Sequence, residues 1–359
     1  MTLVLLLAAG SAARSASTYP PQPDSRLPAR ESLDASRVAL FAGRQDQAYR
    51  LLLLAEPDLE KDPAWLYLAT RVYLALDRPG RIAEILLKMV PSDPTATARA
   101  RAVLERMGNS SVHTTFQAQG RWPITDRKSL KPILAVAPAG QGGAFLLMEN
   151  GLQRVAPDGT FASPNPLPGG RDLTLDPAGA PLALGESSVL WDDAAIKLPP
   201  GITKPVSTAA APDGSFFVLE RGTPRLNRVS RRGASLGSVD IAAGDPVKVR
   251  VDRAGRIYIA DRDTGQVKIY GADMSVVRTM TLTAGGKPLR KIDDFTLDLA
   301  GNLLVTDAAT HEVHLYSGAG QLIATLGGES TRVDAAGWDG LGTLVVLDRK
   351  DGSLWRYGS

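Results

Sequence analysis

One short pattern recurs six times between Val136 and Asp348: a turn closed by glycine, then an apolar strand. It reads LDPAGAPLALG at Leu175–Gly185, APDGSFFVLE at Ala211–Glu220, VDRAGRIYIAD at Val251–Asp261, LDLAGNLLVTD at Leu297–Asp307 and WDGLGTLVVLD at Trp338–Asp348. A looser copy, VAPAGQGGAFLLM, occupies Val136–Met148. The shared glycines, Gly140, Gly179, Gly214, Gly255, Gly301 and Gly342, lie 35 to 46 residues apart by difference of their positions. Aspartate favours the start of a tight turn through its side chain, and glycine supplies the positive φ near its end. A third strand follows, clearest as QVKIYG from Gln266, EVHLYSG from Glu312 and SLWRYG from Ser353, and a fourth as VVRTMTL from Val276 and LIATLGG from Leu322. Four short strands per unit at this period are the signature of propeller blades. Residues 111–359 are therefore expected to form an all-β six-bladed propeller.

The region resembles the NHL-repeat family of six-bladed propellers. The resemblance rests on the Asp-x-x-Gly turn, the apolar strand ending in Ala-Asp, as in Ile259-Ala260-Asp261, and the following strand carrying an aromatic, as in Ile269-Tyr270. It implies a fold rather than an activity, because such propellers host binding proteins and several enzymes alike.

Upstream, apolar residues between Ala35 and Met107 recur at helical spacing. Phe41 to Ala48 reads as helix, Gly-containing turn, helix, and Leu76 to Ala83 repeats the arrangement 35 residues later, counted from Ala48 to Ala83. Residues 30–108 thus resemble about two tetratricopeptide repeats, with Trp65, Tyr67 and Tyr73 as bulky core positions, Pro91 and Pro94 ending the second unit, and Thr95 to Met107 as a closing helix. The expected fold class is α+β multidomain: a TPR-like helical segment, then the propeller. The apolar run Leu3 to Ala9 and the small residues Gly10 to Ala13 read as a signal peptide over residues 1–13, followed by a Ser/Pro/Ala linker over 14–29, which places the protein in the periplasm or outside the cell.

Composition narrows the function classes. There is no cysteine, which removes disulfides, thiolate nucleophiles and Cys-ligated metals. A net charge of +3 is too mild to imply nucleic acid. Arg221 to Lys268 holds eleven Lys/Arg against five Asp, a basic stretch suited to an acidic protein surface or simply to solvent. No later stretch is long and apolar enough to span a bilayer.

An acid follows the second strand of every copy: Glu149, Glu186, Glu220, Asp261, Asp307 and Asp348. They are candidates for a ring near the channel mouth, where they either cap backbone N–H groups or ligate a cation, with Arg221, Arg262 and Arg349 beside them as partial neutralisers. His311 and His314 are separated by an odd offset, which on a strand turns the two rings to opposite faces and argues against a metal pair. His311 alone joins the candidate ring; His113 lies before the first copy. No G-x-S-x-G, phosphate loop or H-E-x-x-H occurs. The expectation is no catalytic residue, no metal and no cofactor. The chain reads as a protein–protein interaction or scaffolding subunit of a bacterial cell-envelope complex, binding through the propeller face and the helical groove. The alternative is a propeller lyase or hydrolase with its site at the channel mouth.

The last copy has a turn and two further strands but no outer one, whereas Ser111 to Gln117 is β-prone and has no blade of its own. That segment is expected to pair with Ser353 to Tyr357 and close the ring, because an unpaired edge would leave backbone donors and acceptors exposed. This closure would tether the helices at the periphery and leave the channel mouth free.

Overall fold

The computed structural model describes residues 27–85 and 116–358, apart from single residues and short turns within those spans. The signal-peptide and most of the linker assignments, Pro91 and Pro94, the closing helix Thr95 to Met107, His113, and the glycines Gly140 and Gly342 lie outside the described residues; in the first copy Gly142, at φ 81°, holds the turn position expected at Gly140.

Six four-stranded antiparallel sheets follow one another along the chain. From the innermost strand outward, blade 1 comprises Ile133–Pro138, Ala144–Met148, Gly151–Val155 and Asn165–Pro166. Blade 2 comprises Asp172–Leu175, Pro181–Leu184, Ser188–Trp191 and Ala194–Lys197, and blade 3 Pro205–Ala210, Phe216–Glu220, Arg225–Val229 and Ser235–Asp240. Blade 4 comprises Pro246–Val251, Ile257–Asp261, Gln266–Tyr270 and Val276–Thr281, and blade 5 Ile292–Leu297, Leu303–Asp307, Glu312–Tyr316 and Leu322–Gly327. Blade 6 comprises Ala335–Trp338, Thr343–Asp348 and Ser353–Gly358, and its outer strand is Gln117–Arg121 from before blade 1.

The repeated turn behaves as its residues dictate. Gly179, Gly214, Gly255 and Gly301 all adopt φ between 79° and 83°. Each donates its N–H to the carbonyl three residues earlier, as Gly255 does to Asp252 at 3.0 Å. The turn aspartates cap the chain further on: Asp176 Oδ1 accepts Ala180 N–H at 2.8 Å, and Asp298 Oδ1 accepts Asn302 N–H at 2.8 Å. The longest spacing, Gly255 to Gly301, accommodates a small extra hairpin, Thr283–Ala284 with Lys287–Pro288.

Second strands such as Ile257–Asp261 and Leu303–Asp307 are buried at every position, because each is sandwiched between neighbouring blades. The apolar side chains fall into clusters that bridge successive blades: Val247, Tyr258 and Ile269 of blade 4 with Phe295 and Val305 of blade 5, for example, and Leu146 of blade 1 with Val345 of blade 6. Gly337 shows how closely blades 6 and 1 approach, since a Cβ there would lie 2.0 Å from the Val136 carbonyl oxygen.

Ring closure by an N-terminal strand occurs as reasoned: the paired residues are Gln117–Arg121, which overlap the expected Ser111 to Gln117 at Gln117, and residues 111–115 lie outside the described residues. Ala118 pairs with Tyr357 and Arg121 with Trp355, with a bulge between Ala118 and Gly120, whose φ is 143°. The Arg121 guanidinium lies 4.2 Å over the Trp355 ring. Gln117 to Arg121 is poor in β-branched residues, so its pairing follows from the free edge of the last strand rather than from propensity.

Upstream, the described residues form three helices, α1 Ala29–Phe41, α2 Gln45–Leu59 and α3 Pro63–Ala75, with helical residues again at Arg81, Ile82, Glu84 and Ile85. The breaks after Phe41 and after Ala75 fall where the two predicted turns lie. Ala48, Trp65 and Tyr73 are buried as core positions, while the Tyr67 side chain lies outside the described set. The Trp65 indole donates to the Leu52 carbonyl at 3.1 Å and ties α3 to α2. What is shown is a short helical segment; a tetratricopeptide identity is not. None of the described helices is long and apolar enough to cross a membrane.

The expected peripheral position of the helices is wrong. Their core is continuous with that of blades 2 and 3: Leu40, Leu52 and Val72 share one cluster with Ala178, Trp191 and Phe216. Arg37 forms an ion pair with Asp192 of blade 2. A three-helix layer cannot bury both faces within itself, and the apolar ends of blades 2 and 3 supply the missing cover.

Candidate functional site: a plugged and roofed channel

The innermost strands line the channel, and each enters it at the same place in the repeat. Four residues before the start of each turn stand Ala135, Asp172, Ser207, Lys248, Asp294 and Ala335. At this level four blades meet in a buried ionic network. Lys248 Nζ donates to Asp172 Oδ1 at 2.7 Å and lies 3.5 Å from Asp294 Oδ2. Arg250 Nη1 is 3.0 Å from Asp172 Oδ2, and its Nη2 is 2.8 Å from Asp294 Oδ1. Ser207 Oγ donates to Asp172 Oδ2 at 2.5 Å, Thr208 N–H donates to the same oxygen at 2.9 Å, and the Ser207 oxygen accepts the Val249 N–H at 3.0 Å.

Two cations and two anions make the network neutral, which allows it to exist at this depth. Burial opposes the charge on Asp172, but Arg250 and Lys248 outweigh it and hold the carboxyl well below the ordinary carboxylate range. On Asp294 burial prevails over the same two cations, and Asp172 adds repulsion, so its pKa is raised. Both cations stay charged: burial lowers their pKa values, yet the two carboxylates raise them more.

Two residues further along the inner strands lie Ala137, Thr174, Ala209, Arg250, Thr296 and Gly337, five of them small. With the turn residues Asp176, Asp252, Asp298 and Asp339 they line a cavity of about 160 Å³. Leu40, Gln45, Arg71 and Ala75 of the helical segment cover it. The channel is thus plugged by the ionic network and roofed on the turn side by helices.

Asp176 sits at the junction of roof and blade 2. It is 1% exposed and accepts the Trp191 indole N–H at 2.9 Å. Burial pushes its pKa up to about 6, against the pull of the Trp191 and Ala180 hydrogen bonds and the Arg71 charge. An unfolded aspartate titrates near 4, so between those values the folded chain binds more protons than the unfolded one. The contribution of Asp176 therefore destabilises above pH 6, by roughly 3 kcal/mol at neutrality, and fades as pH falls toward 4. Denaturant unfolding at pH 7.5 and 5 should show a rise in wild-type stability that the Asp176→Asn variant lacks; identical pH slopes would contradict this assignment.

The acids predicted from the repeat occupy the opposite end of the second strands, one strand removed from the channel lining. Glu220 is buried and accepts the N–H of Thr203 at 2.7 Å and the Asn227 amide at 2.8 Å. Asp261 accepts Gly244 N–H, Asp307 accepts Ala309 N–H and Asp348 accepts Asp351 N–H, at 2.8, 2.8 and 2.9 Å. Glu149 and Glu186 are exposed. Among the described residues no three His, Asp or Glu are grouped to hold a metal.

The predicted arginines and His311 gather instead on two other acids that precede inner strands. Asp245 receives Arg221 at 2.6 Å and Arg262 at 3.6 Å. Asp334 receives the Arg349 N–H at 2.8 Å and lies 3.7 Å from His311 Nδ1, while the Arg349 guanidinium donates to the Ile133 carbonyl of blade 1 at 2.8 Å. His311 stands in a loop at φ 57°, whereas His314 is buried with its Nδ1 3.0 Å from Thr325 Oγ1 and its pKa lowered by that burial. Much of the basic stretch is also consumed internally: Arg225 pairs with Asp240, Arg228 with Asp213 and Arg256 with Asp252.

Sequence reasoning missed Asp172, Lys248, Arg250 and Asp294. The signal was present: counting back four residues from each turn would have aligned charged and hydroxyl side chains in strands otherwise apolar.

No family model matches the chain, and no curated protein sequence matches it. Among solved structures, it is similar to a protein of unknown function from Bacteroides caccae, at 16% identity and a TM-score of 0.47, over 54% of this chain and 81% of that one. It is also similar to virginiamycin B lyase from Staphylococcus aureus, at 13% identity and a TM-score of 0.47, over 66% of this chain and 82% of that one. A streptogramin B lyase structure matches at 12% identity and a TM-score of 0.47, over 66% and 80% of the respective chains. The six-bladed ring itself rests on this chain's own strand pairing.

Proposed function

We propose that the protein is a non-catalytic interaction subunit, exported to the bacterial cell envelope, that docks a partner protein on the rim of blades 3 to 5. The observation that carries this reading is an aliphatic belt on adjacent outer strands. Leu236 of blade 3 is 54% exposed, Val276 and Val277 of blade 4 are 57% and 60% exposed, and Leu322 of blade 5 is 43% exposed. All four stand at or near the start of their outer strands, and therefore on one side of the rim. Arg278 of blade 4 donates to the Gly318 and Ala319 carbonyls of blade 5 at 3.2 and 2.7 Å, which joins the two rims. Exposed apolar side chains at repeated positions, on strands with a free edge, suit a protein partner. The channel's charged groups bond one another, which favours binding over chemistry there. The apolar run at Leu3 to Ala9 supports export.

The test compares wild type with Leu236→Glu/Val277→Glu/Leu322→Glu in crosslinked pull-downs from envelope fractions. These side chains are exposed, so the melting temperature should change little. A partner captured by wild type should be lost by the rim variant and retained by Ala209→Leu inside the channel. Equal capture by both variants would remove the rim from consideration.

A further inference from the structure

We infer that the roofed half of the channel is a binding site for a small uncharged organic molecule, one ring in size with a carbonyl or hydroxyl group. This site is independent of the rim: it lies inside the ring of blades, between the ionic network and the helices.

Size comes first. A propeller axis closes when bulky side chains from the inner strands meet at its centre, yet at this level Ala137, Thr174, Ala209, Thr296 and Gly337 bring little volume into it. Only Arg250 reaches across, and its guanidinium is held by Asp172 and Asp294 as a floor. The resulting space of about 160 Å³ is on the scale that admits a single six-membered ring.

Charge decides the class. The floor is a balanced set of two cations and two anions, Arg71 in the roof faces Asp176 in the wall, and the other lining carboxylates are already bonded: Asp252 by the Arg256 guanidinium, Asp298 by the Asn302 amide and Asp339 by the Thr343 N–H. An anion would meet these lining carboxylates, and a cation would have to leave water for acids already engaged in such bonds, a cost of several kcal/mol. A neutral polar group has partners at hand, since Thr174 and Thr296 line the cavity and the buried Thr296 hydroxyl makes no hydrogen bond within the protein. The apolar remainder of such a molecule would lie against Leu173, Val251 and Trp338. Leu40 and Ala75 line the cavity on the helical side, which links its occupancy to the seating of the helices.

The experiment is a ligand-observed NMR titration of the full chain with phenol and cyclohexanone, against benzoate and benzylammonium as charged probes of similar size. The uncharged probes should bind saturably and at least about tenfold tighter than the charged ones. Ala209→Leu, which fills the space, should weaken them at least about tenfold while the circular dichroism spectrum is unchanged. Thr296→Val keeps the shape, removes the hydroxyl and should weaken both probes by a smaller factor; this variant stands as the test if Ala209→Leu misfolds. Absence of saturable binding by either uncharged probe, tighter binding of a charged probe, or affinity indifferent to both substitutions would each overturn the inference. Loss of the pull-down partner plays no part in it, so the rim and the cavity fail separately.

Discussion

Interrupting the closing strand with Ala118→Pro and Gly120→Pro is expected to lower the melting temperature by about 10–20 °C, because several kcal/mol are lost and each costs about 2–4 °C in a domain of this size. Proline has no N–H to offer the ladder in which Ala118 lies opposite Tyr357 and Gly120 opposite Arg356, and its fixed negative φ cannot reproduce the 143° of Gly120. Strand Ser353–Gly358 then loses its outer partner, and the Arg121–Trp355 stack goes with it. The consequence is not local, since blade 6 also packs against blade 1 through Ala335, Val345 and Leu354. An opened ring exposes the blade 6–1 interface. Differential scanning calorimetry measures the effect, with deletion of residues 14–26 as a control that should shift the transition by less than about 2 °C. Equal shifts for the two changes would show that ring closure does not depend on this strand.

Neutralising one acid of the channel network should be nearly as damaging. Asp172→Asn leaves Lys248 and Arg250 buried with Asp294 as their one remaining carboxylate, and the expected loss is about 3–5 kcal/mol in urea unfolding. The reason is the unbalanced charge rather than the missing contact, so a second substitution should reverse part of the loss. In Asp172→Asn/Lys248→Met one cation and one anion remain, Arg250 and Asp294, and the double variant should recover more than half of the stability lost by the single one. A double variant as unstable as the sum of its parts would contradict the charge-balance account. In the wild type the contribution of Asp172 has the sign of a depressed carboxylate: it is present above the ordinary range near pH 4 and is lost only as pH falls further below it.

The repeat was legible because its physics is local. A turn of four residues with a capping aspartate and a glycine at positive φ is specified within those residues, and the apolar strand that follows is specified by its own composition. Six such units at one spacing leave the propeller as the way to bury both faces of every sheet. The helix breaks after Phe41 and Ala75 were readable for the same reason. The channel chemistry was not read, because Asp172, Lys248 and Asp294 stand 76, 46 and 122 positions apart from one another in the sequence. Each alone resembles an ordinary strand residue facing solvent. Only the ring, which turns one repeat position from every blade toward a common axis, makes them neighbours.

The acids after the second strands show the converse. Their regularity along the chain suggested a shared ligand, yet Glu220 and Asp261 bond the segment that enters the inner strand of their own blade and Asp307 and Asp348 the loop that follows them, since hydrogen bonds repeated within each blade leave the same trace in sequence as a common site. The sequence by itself determined six blades, the chemistry of their turns and the need for a strand from the N-terminal side to finish the last one. The tertiary structure alone decided that this strand is Gln117–Arg121, that four blades pool their charges in a neutral plug, and that the helices roof the channel. Those outcomes depend on edges, burial and distances between segments remote in the chain, which no local pattern encodes.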